Sequence, residues 1–181
     1  NEESIFKNMD PSIRRQIKKA QKQNFDFDKG NNERTIDDFY TLHKLSLNRQ
    51  GQKPKFNREN FNALIADLNS APCNISFYLA YHSGKPIAAQ ANVSYKETAY
   101  YWLAGGDPDY FNTGVNQLLM LNVFQDLIAD NIQYFDFVGA NTPGVTDYKA
   151  NYNFELIPYY QVNKIIGLYP KWISNLKKKV F

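Results

Sequence analysis

The chain opens on an amphipathic pattern. Asp10 and Pro11 pair a capping carboxylate with a proline at the first turn, predicting a helix to about Gln23. Ile13, Ile17 and Ala20 form its apolar stripe, and Arg14, Arg15, Lys18, Lys19 and Lys22 cover the rest. Phe25, Asp26 and Phe27 alternate and predict a short strand closed by Gly30. Thr35 is read as the cap of a second helix, with Ile36, Phe39, Tyr40, His43 and Leu47 on one face and Gly51 and Pro54 at its end. Asn57 caps a third helix whose inward residues are Phe61, Leu64, Ile65 and Leu68; Ser70, Ala71 and Pro72 stop it.

The pattern then changes from helical to strand-like. Ile75–Tyr81, Pro86–Tyr95 and Thr98–Ala104 are joined by tight turns at His82–Lys85 and Lys96–Glu97, which predicts a three-stranded antiparallel meander. A loop from Asp109 to Gly114 leads into a helix over Val115–Ala129 that is apolar around most of its circumference. Such a helix is buried on more than one side. Tyr134–Val138 reads as a strand reached by crossing over that helix, and a crossover favours parallel pairing of the flanking strands. Asn141–Gly144 reads as a loop, followed by a short helix carrying Asp147, Tyr148 and Lys149. Leu156–Lys164 is expected to be a last strand, and residues 168–181 a basic amphipathic tail.

Composition narrows this little. The chain has 181 residues, enough for one α+β domain with a sizeable core. A net charge of +3 does not by itself indicate nucleic-acid binding. Thirteen Tyr and thirteen Phe point to aromatic-rich strands or a lined groove. Cys73 is the single cysteine, which excludes an internal disulfide and a cysteine cluster for a metal, and fits a reducing compartment. No stretch reaches the ~18 apolar residues that mark a membrane span. The first residue is Asn, and the opening segment reads as the continuation of a longer chain.

Several residues invite chemistry. A mid-strand Asp136 needs a partner: it acts as a general base or, as we favour, pairs with Lys149 or Arg49. Arg49 either binds an acceptor carboxylate or caps its own helix. His43 lies on an apolar helical face, where a buried, hydrogen-bonded histidine is the plainer reading than a general base. Gln90 and Asn92 share one face of the meander and, with Tyr101, either line an acceptor groove or are ordinary sheet polars. Gly114, Val115 and Asn116 open a helix, where N–H groups favour phosphate or simply form a cap. Tyr148 donates a proton to a leaving group or is a packed aromatic.

The order of elements and a set of short motifs resemble one family. Ser12 to Lys22 is similar to the basic opening helix of the FemAB/BioF2-like (CelD-like) acyltransferases of GNAT fold. Leu42–His43 through Arg49–Gly51 is similar to that family's helix with a terminal Arg–Gly pair. Gly84–Ala89 resembles its hairpin. Tyr134–Gly139, Pro143–Val145, Tyr148–Lys149 and Asn153–Phe154 resemble its C-terminal signature. The likeness covers roughly residues 10–165 and matches the C-terminal GNAT half.

The resemblance implies a mixed sheet in which two parallel strands, here Thr98–Ala104 and Tyr134–Val138, splay apart. An acyl donor would lie in the gap, its carbonyl held by free N–H groups near Leu103 and Ala104. It implies an N-acyltransferase with acyl-CoA or aminoacyl-tRNA as donor co-substrate, no tightly bound cofactor, and a small-molecule or cell-wall-precursor amine as acceptor. The family's phosphate-binding loop reads Gln/Arg-x-x-Gly-x-Gly/Ala, whereas Asp109–Asn116 carries one glycine. Lys149 matches a basic position of the signature, placed to neutralise a phosphate or oxyanion, or it faces solvent. Asn141 falls on the acceptor side. The family also implies a second GNAT half and a tRNA partner. The lone cysteine points to a cytoplasmic setting, and Lys177–Lys179 with Trp172, Ile173, Leu176 and Phe181 of the tail suggest peripheral contact with an anionic membrane. A non-catalytic half that binds a ligand or completes a two-half enzyme is the competing reading.

Overall fold

The computed structural model describes residues 2–139, 143–160 and 162. Helix α1 (Glu2–Asn8) precedes α2 (Pro11–Ala20). The opening residues thus form an element that the sequence pattern did not show. Asp10 caps α2 as expected, its carboxylate accepting the Ser12 N–H at 2.7 Å. Strand β1 (Asp26–Gly30) is followed by α3 (Glu33–Arg49) and α4 (Arg58–Ser70). Asn57 caps α4 as expected. The cap of α3 is Asn32, not Thr35; Thr35 is buried inside the first turn and its N–H donates to Asn32 Oδ1 at 3.0 Å.

Strands β2 (Asn74–His82), β3 (Lys85–Tyr95) and β4 (Thr98–Gly106) form the expected meander. A 3₁₀ turn (Pro108–Thr113) leads into α5 (Val115–Ala129), then β5 (Tyr134–Asp136) and α6 (Pro143–Ala150). The five strands lie in sequence order, antiparallel from β1 to β4, with β4 and β5 parallel. Of the last strand expected over Leu156–Lys164, residues 156–160 and 162 pair with no strand, and Leu156, Ile157 and Tyr160 are exposed; 161, 163 and 164 lie outside the described residues. Alternation alone cannot supply the neighbouring edge that a strand requires. The tail lies outside the described residues.

Helices α3 and α4 cover one sheet face, where Phe39, Phe61 and Ile65 pack on Phe77, Leu79 and Ala91. Helix α5 covers the other, setting Val115, Leu119, Val123 and Leu127 on Tyr78, Ala88 and Ala99. Its opposite side is covered in turn by Ile13, Ile17 and Ala20 of α2. That double burial explains why α5 is apolar nearly all round. Burying Ile17 completely contributes about 1.5–3 kcal/mol. No helix among the described residues is long and apolar enough to cross a membrane.

Candidate active site

The site begins where β5 leaves β4. Their parallel register runs from Thr98↔Tyr134 to Tyr100↔Asp136 and stops there, while β4 continues to Gly106. The departure has a local cause. Asp136 accepts the Val138 N–H at 2.6 Å, and Val138 sits at φ 59°, left-handed for a β-branched residue. The predicted strand over Tyr134–Val138 is therefore cut short at Asp136. The segment that turns away is held by Lys149, whose ammonium donates to the carbonyls of Phe137 and, at 2.7 Å, of Gly139.

The edge of β4 left free by β5 is partly met by α3. Asp107 N–H donates to Ile87 O on the β3 side, so by alternation Gly106 and Ala104 face away from β3. Gly106 N–H donates to Ser46 Oγ at 3.0 Å, and Ala104 O lies 2.9 Å from His43 Nδ1. A carbonyl only accepts, so Nδ1 carries the proton in that contact and a neutral ring keeps Nε2 as its acceptor. His43 is half-buried and stacked on Phe39, in line with a structural histidine. A Cβ on Gly105 would overlap the His43 backbone nitrogen, so glycine is needed there to let α3 approach. Trp102 has no partner in β3, because the register steps from Ala91↔Leu103 to Asn92↔Tyr101.

At this mouth lies a cavity of about 280 Å³. Arg49, Gln90, Tyr101, Ala104, Asn116 and Tyr148 line it, all candidates from the sequence. Ser46, Gln50, Ala89, Gly105, Gly106, Phe111 and Leu119 complete the wall. Sequence reading missed these, although two glycines closing a strand are a signal of close approach. Small-molecule sites span roughly 300–1,000 Å³, so this space suits reacting ends rather than a whole donor. Arg49 sets its guanidinium over the Phe111 ring, 5.1 Å from the centroid. Tyr148 OH lies 3.0 Å from Tyr152 OH; burial, then the Tyr152 phenol, raises the Tyr148 pKa well above its ordinary value. Burial likewise raises the Tyr101 pKa.

The family model for the acetyltransferase (GNAT) domain matches residues 7–150. The chain belongs to the GNAT acetyltransferase domain family. No curated protein sequence matches it. Solved GNAT-fold structures do. FemX superposes with a TM-score of 0.72 at 8% identity, over 84% of this chain and 56% of FemX. Aminoglycoside N-acetyltransferase AAC(6')-Iy in complex with CoA gives a TM-score of 0.61 at 12% identity, over 80% of this chain and 96% of its own. An aminoglycoside acetyltransferase from an uncultured soil metagenomic sample, in complex with sisomicin, gives 0.58 at 13% identity, over 77% and 97%. At such identities the likeness speaks for the fold.

Within this GNAT domain the other candidates stand apart from the cavity. Asp136 is exposed at the end of β5, and among the described residues no ion pair joins it to Lys149 or Arg49. The expected pairing gives way to the turn that Asp136 makes with Val138. Burial lowers the Lys149 pKa and the Asp136 charge opposes that shift. Lys149 does not line the cavity but sets its ammonium 5.8 Å from the ring centroid of Tyr101, which does, so it does not face solvent freely as the plainer reading had it. Leu103 packs half-buried against the α3 and α4 core. Gly114 is buried beneath α2, where a Cβ would overlap the Gln16 carbonyl oxygen; Val115 is buried on the sheet, and its N–H donates to Thr113 Oγ1 at 3.3 Å. Asn92 is buried and accepts from Gln90 Nε2 at 2.8 Å. These two are thus neither exposed sheet polars, and only Gln90 reaches the cavity. Asn141 lies outside the described residues.

Proposed function

We propose that this domain is an N-acyltransferase, moving an acyl or aminoacyl group from acyl-CoA or aminoacyl-tRNA to an amine. The observation that carries the reading is the parting of β4 and β5 at Tyr100 and Asp136, beside a cavity lined by Tyr101, Ala104 and Tyr148. The donor carbonyl enters the gap and accepts from the Ala104 N–H, which shares the free edge of β4 with the Ala104 carbonyl. The amine attacks that carbon. A C–N bond forms, and the C–S bond of a thioester or the C–O bond of an ester breaks. Tyr148, kept protonated by burial, gives its proton to the leaving sulfur or oxygen, and the proton lost by the new ammonium returns through solvent to the Tyr148 oxygen. Lys149 holds the far wall of the gap through the Phe137 and Gly139 carbonyls.

The competing reading is a non-catalytic GNAT half that binds a ligand or completes a two-half enzyme. The burial of Gly114 under α2 favours it, together with the Val115 N–H being taken by Thr113 Oγ1, because the start of α5 then offers less open N–H surface to a phosphate. Thermal unfolding with coenzyme A thioesters and with aminoacyl-tRNA separates the readings. A ligand at 100 times its Kd stabilises by about 2.7 kcal/mol. A shift with either donor, followed by acyl transfer, supports catalysis and names the donor. No shift and no transfer with either leaves the non-catalytic half. The membrane contact expected of residues 168–181 is tested separately, by flotation with anionic vesicles.

A further inference from the structure

We infer that the amine acceptor carries a carboxylate, and that Arg49 binds it. The inference rests on the acyltransferase reading and adds the acceptor's chemistry. It comes from the charges around the cavity. Among the described residues Arg49 is its single charged lining residue, and no Asp or Glu lines it. The remaining polar groups are neutral: Ser46, Gln50, Gln90, Asn116 and the two tyrosines. Two acids near the mouth are engaged elsewhere. Asp107 bonds Lys85 and the Asp109 N–H, and Asp136 bonds the Val138 N–H.

A polycationic acceptor needs acidic groups to replace the water it loses, and here it would meet a guanidinium instead. An amino-carboxylate has the complementary charges. Its carboxylate takes the planar fork of Arg49 bidentately, and the Phe111 face holds that fork at the mouth. Its amine, delivered uncharged, fits among neutral acceptors such as the Gln90 and Asn116 amide oxygens. This cavity therefore differs in substrate class from structural neighbours that bind sisomicin.

The test compares an amino acid with its carboxamide, so that only the carboxylate changes, alongside sisomicin. Full-length chain is assayed with an acyl-CoA thioester and with an aminoacyl-tRNA. We expect kcat/KM for the amino acid to exceed that for the amide at least ten-fold. In Arg49→Gln this ratio falls to about one through acceptor KM, whereas Arg49→Lys keeps part of it. Equal or better use of the amide or of sisomicin overturns the inference and leaves the acyltransferase reading standing. So does an Arg49→Gln variant that raises the donor KM and keeps the ratio, since Arg49 would then hold donor phosphate. Transfer to no acceptor from either donor defeats both.

Discussion

Asp136 Oδ1 accepts the backbone N–H of Val138 at 2.6 Å, and this short turn takes the chain away from β4. Val138 is 55% exposed, so little packing argues for valine at its left-handed φ of 59°. A non-glycine residue there costs about 1–2 kcal/mol. Val138→Gly should therefore raise stability by up to about 1 kcal/mol in urea unfolding, after its own entropy cost. Asp136→Ala should lower stability by about 0.5–1.5 kcal/mol. A loss of stability in Val138→Gly would show that the turn is not strained as described.

Tyr148 distinguishes chemistry from packing. Loss of its hydroxyl removes one hydrogen bond, to Tyr152, and costs about 0.5–1.5 kcal/mol. As proton donor it contributes on the order of 10²-fold in kcat. Tyr148→Phe is expected to show both effects, and turnover within a few-fold of the parent would make it a packed aromatic only. Because its pKa is raised, no loss of activity from Tyr148 ionisation is expected up to pH 10.

Gly114→Ala tests how tightly α2 seals the start of α5. Gly114 has φ 85° and faces the Gln16 carbonyl. The variant should lose more than about 1 kcal/mol, since the new Cβ meets both an unfavourable φ and a backbone oxygen. Limited proteolysis should find α2 more readily released. Unchanged stability would mean that α2 does not rest on this loop.

A pH effect is expected from the buried Asp107. The hydrogen bond from Lys85, at 2.7 Å, lowers its pKa below the usual carboxylate value. A depressed folded pKa stabilises the fold fully above the unfolded value of about 3.9, and that stability is lost as pH falls through the folded pKa. Lys85→Met should thus destabilise at pH 6, and its deficit against the parent should shrink below about pH 4. Urea midpoints across that range give the sign directly. A deficit that grows on acidification contradicts the pairing.

Much of this architecture could be read from the pattern of residues. The caps Asp10 and Asn57, the meander turns and the crossover into β5 were legible because each is a local signal. Thr35 misled because Asn32 and Thr35 are both good caps three residues apart, and only the backbone decides between them. The short β5 was not foreseen, since apolar alternation continues through Val138 while the Asp136 turn ends the pairing. Burial of Gly114 depends on where α2 packs, a long-range fact that no neighbouring residue announces. Six candidates met in one cavity because β3, β4, α3, α5 and α6 each bring one or two of them to the gap beside β4. Asp136, Leu103 and Asn92 were near in sequence but point elsewhere.

The central claim is that the free edge of β4 holds a donor carbonyl through the Ala104 N–H. Amide NMR titration tests it most directly, using an acyl-CoA thioester, its thioether analogue without the carbonyl, and an aminoacylated RNA. The Ala104 amide is expected to shift with a carbonyl-bearing donor, and much less with the thioether. A donor that binds while the Ala104 amide stays in place would contradict it.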